Sequence, residues 1–248
     1  MQKRIAAIHD ISGFGKCSLT VALPIISAAG IEVSVIPTAV LSTHTGGFTG
    51  FTYRDLTEDI LAITDHWCSL GIHFDALYSG FLGSFEQLFI MEQVIDRLRA
   101  DDTLVMVDPV MADNGALYKV FSDDFPDGMR KLCAKADIIV PNMTEAALLT
   151  HEQYREGPYT RGYVEDMLKK LAALGPRRVV LTGVHFGDTE LGAATFDSQT
   201  GDVDYAFAPR IEGYYHGTGD VFASALLAAV LHGLTLVQAA QVAADFTA

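Results

Sequence analysis

The chain has 248 residues, half of them hydrophobic and 19% charged, and it carries a formal net charge of −14. This composition is typical of a folded globular protein and excludes a disordered or coiled-coil chain. Because no cluster of Lys or Arg offsets the acidic balance, it also excludes a nucleic-acid-binding protein, which needs a basic surface. The length suits one domain, and we expect a single domain over residues 1–248.

No segment has the character of a secretory leader or a membrane span. The apolar run Ile5–Ile8 is followed at once by His9 and Asp10 and is too short for a signal core. The most apolar stretch, Val221–Leu231, is too short to cross a bilayer. The three cysteines are far apart and odd in number, which predicts reduced thiols rather than disulfides or a zinc site. We therefore expect a cytoplasmic protein with no membrane partner.

In chain order, short β-rich runs alternate with longer amphipathic stretches. The predicted strands are Arg4–Ile8, Glu32–Ile36, Ala76–Ser79, Thr103–Val107, Ile138–Val140 and Arg178–Leu181. The predicted helices are Cys17–Ala29, Asp55–Leu70, Phe85–Ala100, Asp123–Lys135, Thr144–Thr150, Tyr163–Leu174 and Val221–Leu231. Strands separated by helices indicate βαβ units and a parallel sheet.

One segment departs from this alternation. Gly192–Phe196 and Val203–Phe207 flank a turn-forming stretch, which predicts a β-hairpin at one edge of the sheet. The expected fold class is therefore α/β: a three-layer αβα sandwich with a mostly parallel central sheet and an edge β-hairpin. The last segment, Thr235–Ala248, has a helical pattern but no capping signal at its end, so we expect the natural domain to extend further.

Ligands of open parallel α/β sheets gather at the carboxyl ends of the strands, so the residues that follow each strand are the first place to search. Polar and glycine residues collect there, while the strands themselves are apolar. These segments are His9-Asp10, Ser42–Gly47, Gly80-Phe81, Asp108–Asp113, Pro141–Glu145 and Thr182-Gly183. Ordinary surface loops are also polar, and this pattern alone leaves the two interpretations equally open.

The segment His216–Asp220 gives the strongest indication of chemistry. Gly217 and Gly219 let backbone N–H groups approach an anion, at the predicted N-terminus of a helix that favours negative charge. Asp220 falls in the first turn, which should keep it ionised, so it could accept a hydroxyl proton while the glycine amides hold charge on a transferred phosphoryl group. The alternative is that Thr218 or Asp220 only caps a buried helix.

Asp108 and the Asn142-x-x-Glu145 segment offer oxygen ligands at two strand ends. Carboxylates placed there could hold Mg²⁺ through water, because this ion keeps much of its hydration shell. The competing interpretation makes Asn142 a helix cap and Glu145 a solvated first-turn residue, and without other support the residues favour it.

Two other patterns do not qualify as sites. Gly13–Ser18 is not a phosphate-binding loop, because that motif needs Lys followed directly by Ser or Thr and Cys17 intervenes. The histidines lack metal-ligand spacing, which indicates ordinary surface or core residues. His44 is the exception, because it lies in a loop at a strand end.

Four motifs, in order along essentially the whole chain, resemble the ribokinase-like superfamily and within it the pyridoxal (vitamin B6) kinases. Gly217-Thr218-Gly219-Asp220 matches the superfamily's catalytic signature. Asp108–Asp113 resembles an Asp-Pro-Val-(Leu/Met)-Gly-Asp segment, with Ala112 in place of glycine. Pro141–Ala146 contains the Asn-x-x-Glu magnesium motif, and Ser42–Gly46 resembles the Ser-Asn-His-Thr substrate loop.

The resemblance implies an ATP-dependent kinase that phosphorylates the 5′-hydroxymethyl group of pyridoxal, pyridoxamine or pyridoxine. Asp220 would be the general base, within an anion hole formed by the amides of Gly217, Thr218 and Gly219. The implied metal is Mg²⁺, with K⁺ or Na⁺ nearby, and the implied ligands are Asp108 and Glu145. Substrate would contact Asp10, His44, Thr45 and Phe81; nucleotide would contact Asp113, Asn142, Thr182 and Gly183. The resemblance also implies a homodimer.

The departures from the family pattern lie on the substrate side. Asp10 stands where many B6 kinases have a serine, and Phe81 stands where some have a ring-stacking tyrosine, so the preferred vitamer stays open.

A hydroxymethylpyrimidine kinase of thiamine synthesis is the alternative on the same fold, although many of those have cysteine where Asp220 stands. A sugar or nucleoside kinase fits less well, because the first connections lack room for lid strands. A non-catalytic B6- or nucleotide-binding protein is the alternative from another class, and it would not need Asp220.

Overall fold

The computed structural model describes residues 2–213 and 215–248, with one large mixed sheet at the centre. The strands are β1 (Arg4–Ser12), β2 (Glu32–Leu41), β3 (Tyr53–Asp55), β4 (Ala76–Ser79), β5 (Leu104–Val107), β6 (Ala112–Asp113), β7 (Ala116–Leu117), β8 (Ile138–Ile139), β9 (Arg178–Val184), β10 (Glu190–Asp197) and β11 (Asp202–Pro209). The helices are α1 (Leu19–Ala28), α2 (Thr57–Ser69), α3 (Phe85–Leu98), α4 (Phe125–Cys133), α5 (Met143–Thr150), α6 (Arg161–Ala172), α7 (Thr218–Leu231) and α8 (Leu236–Thr247).

The central sheet has the strand order β11-β10-β9-β8-β5-β4-β1-β2-β3. Neighbouring strands from β9 across to β2 run parallel. The β10–β11 hairpin at one edge and β3 at the other run antiparallel. Helices α2 to α6 bury their apolar side chains against one face of the sheet, and α1, α7 and α8 cover the other. The expected three-layer sandwich with an edge hairpin is confirmed.

Burial of the central elements follows from this layering. In β1, Ile5–Ile8 are inaccessible to solvent, as expected for a parallel strand covered by helices on both faces. Helix α7 is apolar around most of its circumference, and all of Phe222–Ala229 are buried, because α1, α8 and the sheet surround it. Among the described residues, no helix combines the length and apolar character that crossing a membrane requires.

The first and sixth predicted strands were placed too short: Asp10 lies within β1, and Thr182 and Gly183 lie within β9, rather than after these strands.

The second predicted strand was also too short. It was predicted to end at Ile36, whereas β2 continues to Leu41 and includes Pro37. Its pairing with β1 shifts register between His9 and Ile11, opposite Pro37. Such an irregularity is where a sheet tolerates a proline, because no regular ladder hydrogen bond is lost there.

Two short antiparallel pairings were missed by the sequence analysis. The helix predicted over Asp55–Leu70 begins later, at Thr57, because Asp55 is the last residue of strand β3. All three residues of β3 are exposed, so no burial pattern marked it. Strands β6 and β7 form a two-residue hairpin within and after the Asp108–Asp113 segment.

Candidate active site

Four carboxylates gather where the carboxyl ends of the parallel strands meet the N-terminus of α7. Asp10 lies in β1, Asp108 follows β5, Glu145 lies in α5 and Asp220 lies in the first turn of α7. They influence one another electrostatically. The charge of Asp10 raises the pKa of Asp220, and the charges of Glu145 and Asp220 raise the pKa of Asp108. The structure thus brings together the candidate base and the candidate metal ligands.

Asp220 is held on one side only. Its Oδ2 accepts a hydrogen bond from the backbone N–H of Ser18 at 2.9 Å, and no donor from the described residues reaches Oδ1. Burial raises the pKa of Asp220 to about 6, opposed by the Ser18 N–H and assisted by the charge of Asp10. We expected the helix N-terminus to keep this carboxylate ionised; burial outweighs that effect, yet a pKa of about 6 still leaves Asp220 mostly ionised at neutral pH.

The glycine segment before α7 packs against the loop that precedes α1. Gly217 is the N-cap of α7 and has φ 79°, and a Cβ there would collide with the carbonyl oxygen of Lys16. The first-turn N–H groups of α7 lack partners within the helix, and open space surrounds Gly219. Gly13–Ser18 is therefore part of the site although its sequence is not a phosphate loop. Gly217 was the sequence signal for this contact, because a glycine lets two backbone segments approach closely.

The loop after β2 folds over the same region. The ring of His44 lies against that of His216 with centroids 4.5 Å apart, and it meets Phe48 edge to face at 5.0 Å. The backbone N–H of His44 donates to the carbonyl of Phe14 at 3.2 Å. Burial and the neighbouring His216 lower the pKa of His44, which favours a neutral ring. Thr45, the next candidate in this loop, is half-buried.

Asp10 and Phe81 are the other two candidate substrate-binding residues. Asp10 is 3% exposed, and its Oδ2 accepts a hydrogen bond from the hydroxyl of Ser12 at 2.9 Å. Burial raises the pKa of Asp10, and hydrogen bonds from Ser18 and Ser12 oppose that rise. Phe81 is buried, with its ring 5.6 Å from that of Phe121.

Tyr53 is a further residue of this region that sequence reasoning missed. Its hydroxyl oxygen lies 2.6 Å from the position that a Cβ on Gly83 would take, and the ring of Phe81 is 3.6 Å from the same position. Burial raises the pKa of Tyr53, and the charges of Asp55 and then Asp10 add to the rise. Because β3 is exposed and only three residues long, the sequence offered no signal for this placement.

Glu145 and Asn142 hold the start of α5. Glu145 accepts backbone hydrogen bonds on both oxygens, from Met111 at 3.1 Å and from Asn142 at 2.8 Å. The side chain of Asn142 accepts from the N–H groups of Thr144 and Glu145, which completes a capping box. The helix-cap interpretation of Asn142 is confirmed, whereas Glu145 is buried and not solvated, because the Met111 segment closes over it.

Asp108 has the opposite surroundings. It is 6% exposed, and no donor from the described residues reaches its carboxylate. Burial, then the charges of Glu145 and Asp220, raise the pKa of Asp108 well above its usual range. Burial raises the pKa of Glu145 to about 8 against the lowering effect of its backbone donors. Two adjacent buried carboxylates of this kind need a proton or a cation to share.

The donor set suits Mg²⁺. Among the described residues no cluster of three or more His, Cys, Asp or Glu side chains could enclose a metal ion. Mg²⁺ does not need such a cage, since it is usually bound through one or two carboxylates, several waters and the phosphates of a substrate. Asp108 and Glu145 therefore fit this ion.

The candidate nucleotide residues lie on the other side of β5 from Asp10. Asn142 and Thr182 face each other in an isolated parallel bridge, and Gly183 follows with φ 76°. Asp113 lies in the β6–β7 hairpin, which is tied to α5 because Asn142 Nδ2 donates to the carbonyl of Ala112 at 2.9 Å. The structure thus brings these four residues together next to Glu145.

Comparison with known proteins agrees with this geometry. The sequence profile of the phosphomethylpyrimidine kinase family matches residues 23–248. A Bacteroides thetaiotaomicron protein, described as a candidate phosphomethylpyrimidine kinase and crystallised with pyridoxal, is 38% identical with a TM-score of 0.93, covering 99% of this chain and 86% of that chain. The pyridoxal kinase of Lactobacillus plantarum is 33% identical with a TM-score of 0.90, covering 100% and 87%. The pyridoxine/pyridoxal/pyridoxamine kinase of Bordetella avium is 27% identical over 257 residues, covering 98% and 82%.

Proposed function

The chain belongs to the phosphomethylpyrimidine kinase family, and from that premise we propose that it is a pyridoxal kinase, which phosphorylates the hydroxymethyl group of B6 vitamers with ATP. The observation that carries the proposal is the setting of Asp220. One of its oxygens is fixed by the Ser18 N–H, and the other has no donor among the described residues. Asp220 also lies in the first turn of α7, whose N–H groups have no partner within the helix.

In the proposed reaction Asp220 is the general base. It accepts the proton of the substrate hydroxymethyl group as that oxygen attacks the γ-phosphorus of ATP. A new O–P bond forms, the bond to the β,γ-bridging oxygen breaks with its electrons, and ADP leaves while the proton stays on Asp220. The amides of Gly217, Thr218 and Gly219 at the start of α7 hold the charge on the transferred phosphoryl group.

Asp108 and Glu145 are the proposed metal-binding residues. When bound, Mg²⁺ neutralises phosphate charge and aligns the transferring group. Glu145 would keep its backbone hydrogen bonds in this arrangement and supply charge, while Asp108, which has no donor among the described residues, would contact the ion or its water. The family resemblance also implies K⁺ or Na⁺ nearby, and the proposal includes that ion.

The remaining contacts divide between two walls. On the substrate side, Asp10, His44, Thr45 and Phe81 would contact the pyridine ring and its substituents. On the nucleotide side, Asp113, Asn142, Thr182 and Gly183 would contact ATP. The strand order supports this division, because β1 and β2 lie on one side of β4 and β5, and β8 and β9 lie on the other.

The test is ATP-dependent phosphorylation of pyridoxal, pyridoxamine, pyridoxine and hydroxymethylpyrimidine, measured side by side with Mg²⁺ and K⁺ present. We expect turnover of B6 vitamers well above that of the pyrimidine. Preference for the pyrimidine would move the protein to thiamine synthesis. Binding of pyridoxal and ATP without any turnover would identify a binding protein on this fold and overturn the proposal.

The proposed assembly is a homodimer of one-domain subunits spanning residues 1–248, as the family resemblance implies. Sedimentation equilibrium should give twice the chain mass of 26.8 kDa. A single mass of 26.8 kDa at assay concentrations would contradict the dimer.

A further inference from the structure

Three polar side chains are buried in the helix-covered layer beneath Asp220. His9, Tyr78 and Ser224 are each 0% exposed. Both ring nitrogens of His9, the hydroxyl of Tyr78 and the hydroxyl of Ser224 have no hydrogen-bond partner within the described part of the chain. Folded proteins pair about nine-tenths or more of their buried polar groups. These four atoms of neighbouring side chains therefore need hydrogen-bond partners that the described residues do not supply.

The three side chains are neighbours. The rings of His9 on β1 and Tyr78 on β4 meet edge to face, with centroids 4.4 Å apart. Ser224 lies one turn after Asp220 on the same face of α7. A weak hydrogen-bonding interaction of its hydroxyl with Tyr78 lowers the pKa of the phenol, but the two hydroxyls do not have the distance and angles of a full hydrogen bond. Burial and the charges of Asp108 and Asp220 nevertheless raise that pKa well above its usual range, so the phenol is neutral.

The backbone N–H of Gly80 cannot supply a hydrogen bond to His9. The imidazole of His9 packs directly on Gly80, where a Cβ would collide with it, but the N–H of Gly80 already donates to the carbonyl of Ile8 at 3.2 Å. Neutral imidazole, phenol and hydroxyl groups each both donate and accept hydrogen bonds. Water has the same dual character and makes two to four hydrogen bonds when buried, whereas a cation needs acceptors alone.

We propose that ordered water occupies this buried site and links His9, Tyr78 and Ser224 into one hydrogen-bonded network that ends beneath Asp220. The three are positioning residues: the network fixes the orientation of the carboxylate, whose Oδ1 has no donor among the described residues. The presence of water follows from the geometry alone, and only the effect on turnover rests on the proposed function.

The direct test is a crystal structure of the wild-type protein and of Tyr78→Phe. We expect a density peak within about 2.7–3.2 Å of both the Tyr78 and Ser224 hydroxyls, and its loss or displacement in Tyr78→Phe. A direct hydrogen bond between the two hydroxyls, or a site without density, would overturn the proposal.

Thermal unfolding provides a second test, because the direction of the change in Tm differs with and without the water. If water completes the network, Ser224→Ala removes a partner from it and lowers Tm by roughly 2–4 °C. If the hydroxyl is dry, the same change removes an unpaired buried group and raises Tm, which contradicts the proposal. Ser224→Ala also keeps a good helix former at that position, so it remains informative should Tyr78→Phe fail to fold.

Kinetics test the positioning role. Tyr78→Phe is expected to lower kcat about tenfold with little change in KM and to move the acid limb of the pH profile. The matched control is Ser79→Ala, the next residue on β4, which is also 0% exposed with an unpaired hydroxyl but whose side chain points to the other face of the sheet. The control should keep the wild-type pH profile; equal effects of the two variants would show that no specific positioning exists. Density and Tm can be measured whatever alcohol is phosphorylated, so failure of the proposed function leaves the water test intact.

Discussion

The proposed nucleotide side and the proposed substrate side of the site each contain a pair of carboxylates, and in both pairs the two members differ in their hydrogen bonds. On the nucleotide side, Glu145 is anchored by backbone N–H groups on both oxygens, while Asp108 has no donor among the described residues. On the proposed substrate side, Asp10 accepts hydrogen bonds from the side chains of Ser12 and Ser18, while Asp220 has no donor to Oδ1 among the described residues. In each pair, one carboxylate has more hydrogen bonds to the protein, and the proposed function assigns the other to a ligand.

The pairs differ in readiness. With a pKa of about 6, Asp220 is mostly ionised at neutral pH and can act as a base in the free protein. Asp108 and Glu145 both have raised pKa values, that of Glu145 reaching about 8, so they retain a proton until a cation replaces it. Under the proposed function, Asp220 is ionised before the ligands bind, whereas Asp108 and Glu145 become fully ionised only when a metal ion binds.

The largest effect is expected from the open member of the substrate pair. Asp220→Asn should lower kcat roughly 10³- to 10⁴-fold, because the amide cannot accept the hydroxyl proton. Nucleotide affinity should change little, since the first-turn amides remain. Initial-rate kinetics and calorimetric titration with ATP analogues measure the two effects. Asp10→Asn is the matched comparison and should act mainly on KM; an equal loss of kcat there would remove the distinction between the two carboxylates.

The nucleotide pair should respond next. Asp108→Asn is expected to lower kcat about 10²-fold and to raise the Mg²⁺ concentration needed for activity. It should also stabilise the metal-free protein at pH 8. Both pKa values are raised on folding, so the folded pair loses stability as pH rises from the ordinary carboxyl range to about 8, and removing one charge relieves this.

Glu145→Gln should change the stability of the metal-free protein in the opposite direction to Asp108→Asn. An amide can accept only one of the two backbone N–H groups and turns its own NH₂ toward the other, which should cost about 1–3 kcal/mol and lower Tm. Differential scanning calorimetry without metal compares the two variants. A shift of Tm in the same direction for both would mean that Asp108 is anchored as Glu145 is.

A smaller effect is expected at the glycine that brings α7 close to the Gly13–Ser18 loop. Gly217→Ala should reduce kcat roughly 10- to 100-fold, because the Cβ displaces Lys16 and with it the Ser18 N–H that holds Asp220. Gly201→Ala is the control: its φ of 78° matches the 79° of Gly217, but open space surrounds it. Comparable loss of activity in both would attribute the effect to backbone strain rather than to the collision.

The smallest effect concerns pH. The value of kcat/KM should fall below pH 6, approaching tenfold per unit, as Asp220 becomes protonated in the free enzyme. Because its pKa is raised from 3.8 to about 6 on folding, protonation in this window favours the folded state. Activity should thus be lost while circular dichroism still reports a folded protein. Unfolding that accompanies the loss would assign it to another group.

The layers of the fold were predictable because their residues carry periodic burial. The buried strands, the helices between them and the edge hairpin all left such a pattern in the sequence. Strand β3 left none, since its three residues are exposed and are fixed only by pairing with β2. The end of β2 was misplaced because Pro37 is tolerated through an irregular register that depends on β1.

The sequence allowed the site to be located at a set of strand ends, but it did not allow the burial of the individual side chains to be predicted. Asn142 was recognisable as a cap from its spacing to Glu145. Whether Glu145 is solvated depends on the Met111 segment, 34 residues earlier in the chain, and no local pattern records that contact. The burial of His9 has the same origin, because it follows from Gly80 on a neighbouring strand.

The burial of α7 has a consequence for the timing of catalysis. A helix in which the eight residues Phe222–Ala229 are all buried opens only in large-scale unfolding, so the proposed base at its start cannot move away from the site. Admission of substrates and release of products therefore fall to the surrounding loops, where Phe14 is 66% exposed and Phe48 37% exposed. Phosphoryl transfer and the exchange of substrates and products would thus depend on different parts of the chain. Amide hydrogen exchange should be slow in α7 and fast in these loops. Substitutions that change the rate of product release without changing phosphoryl transfer should cluster around Phe14 and Phe48.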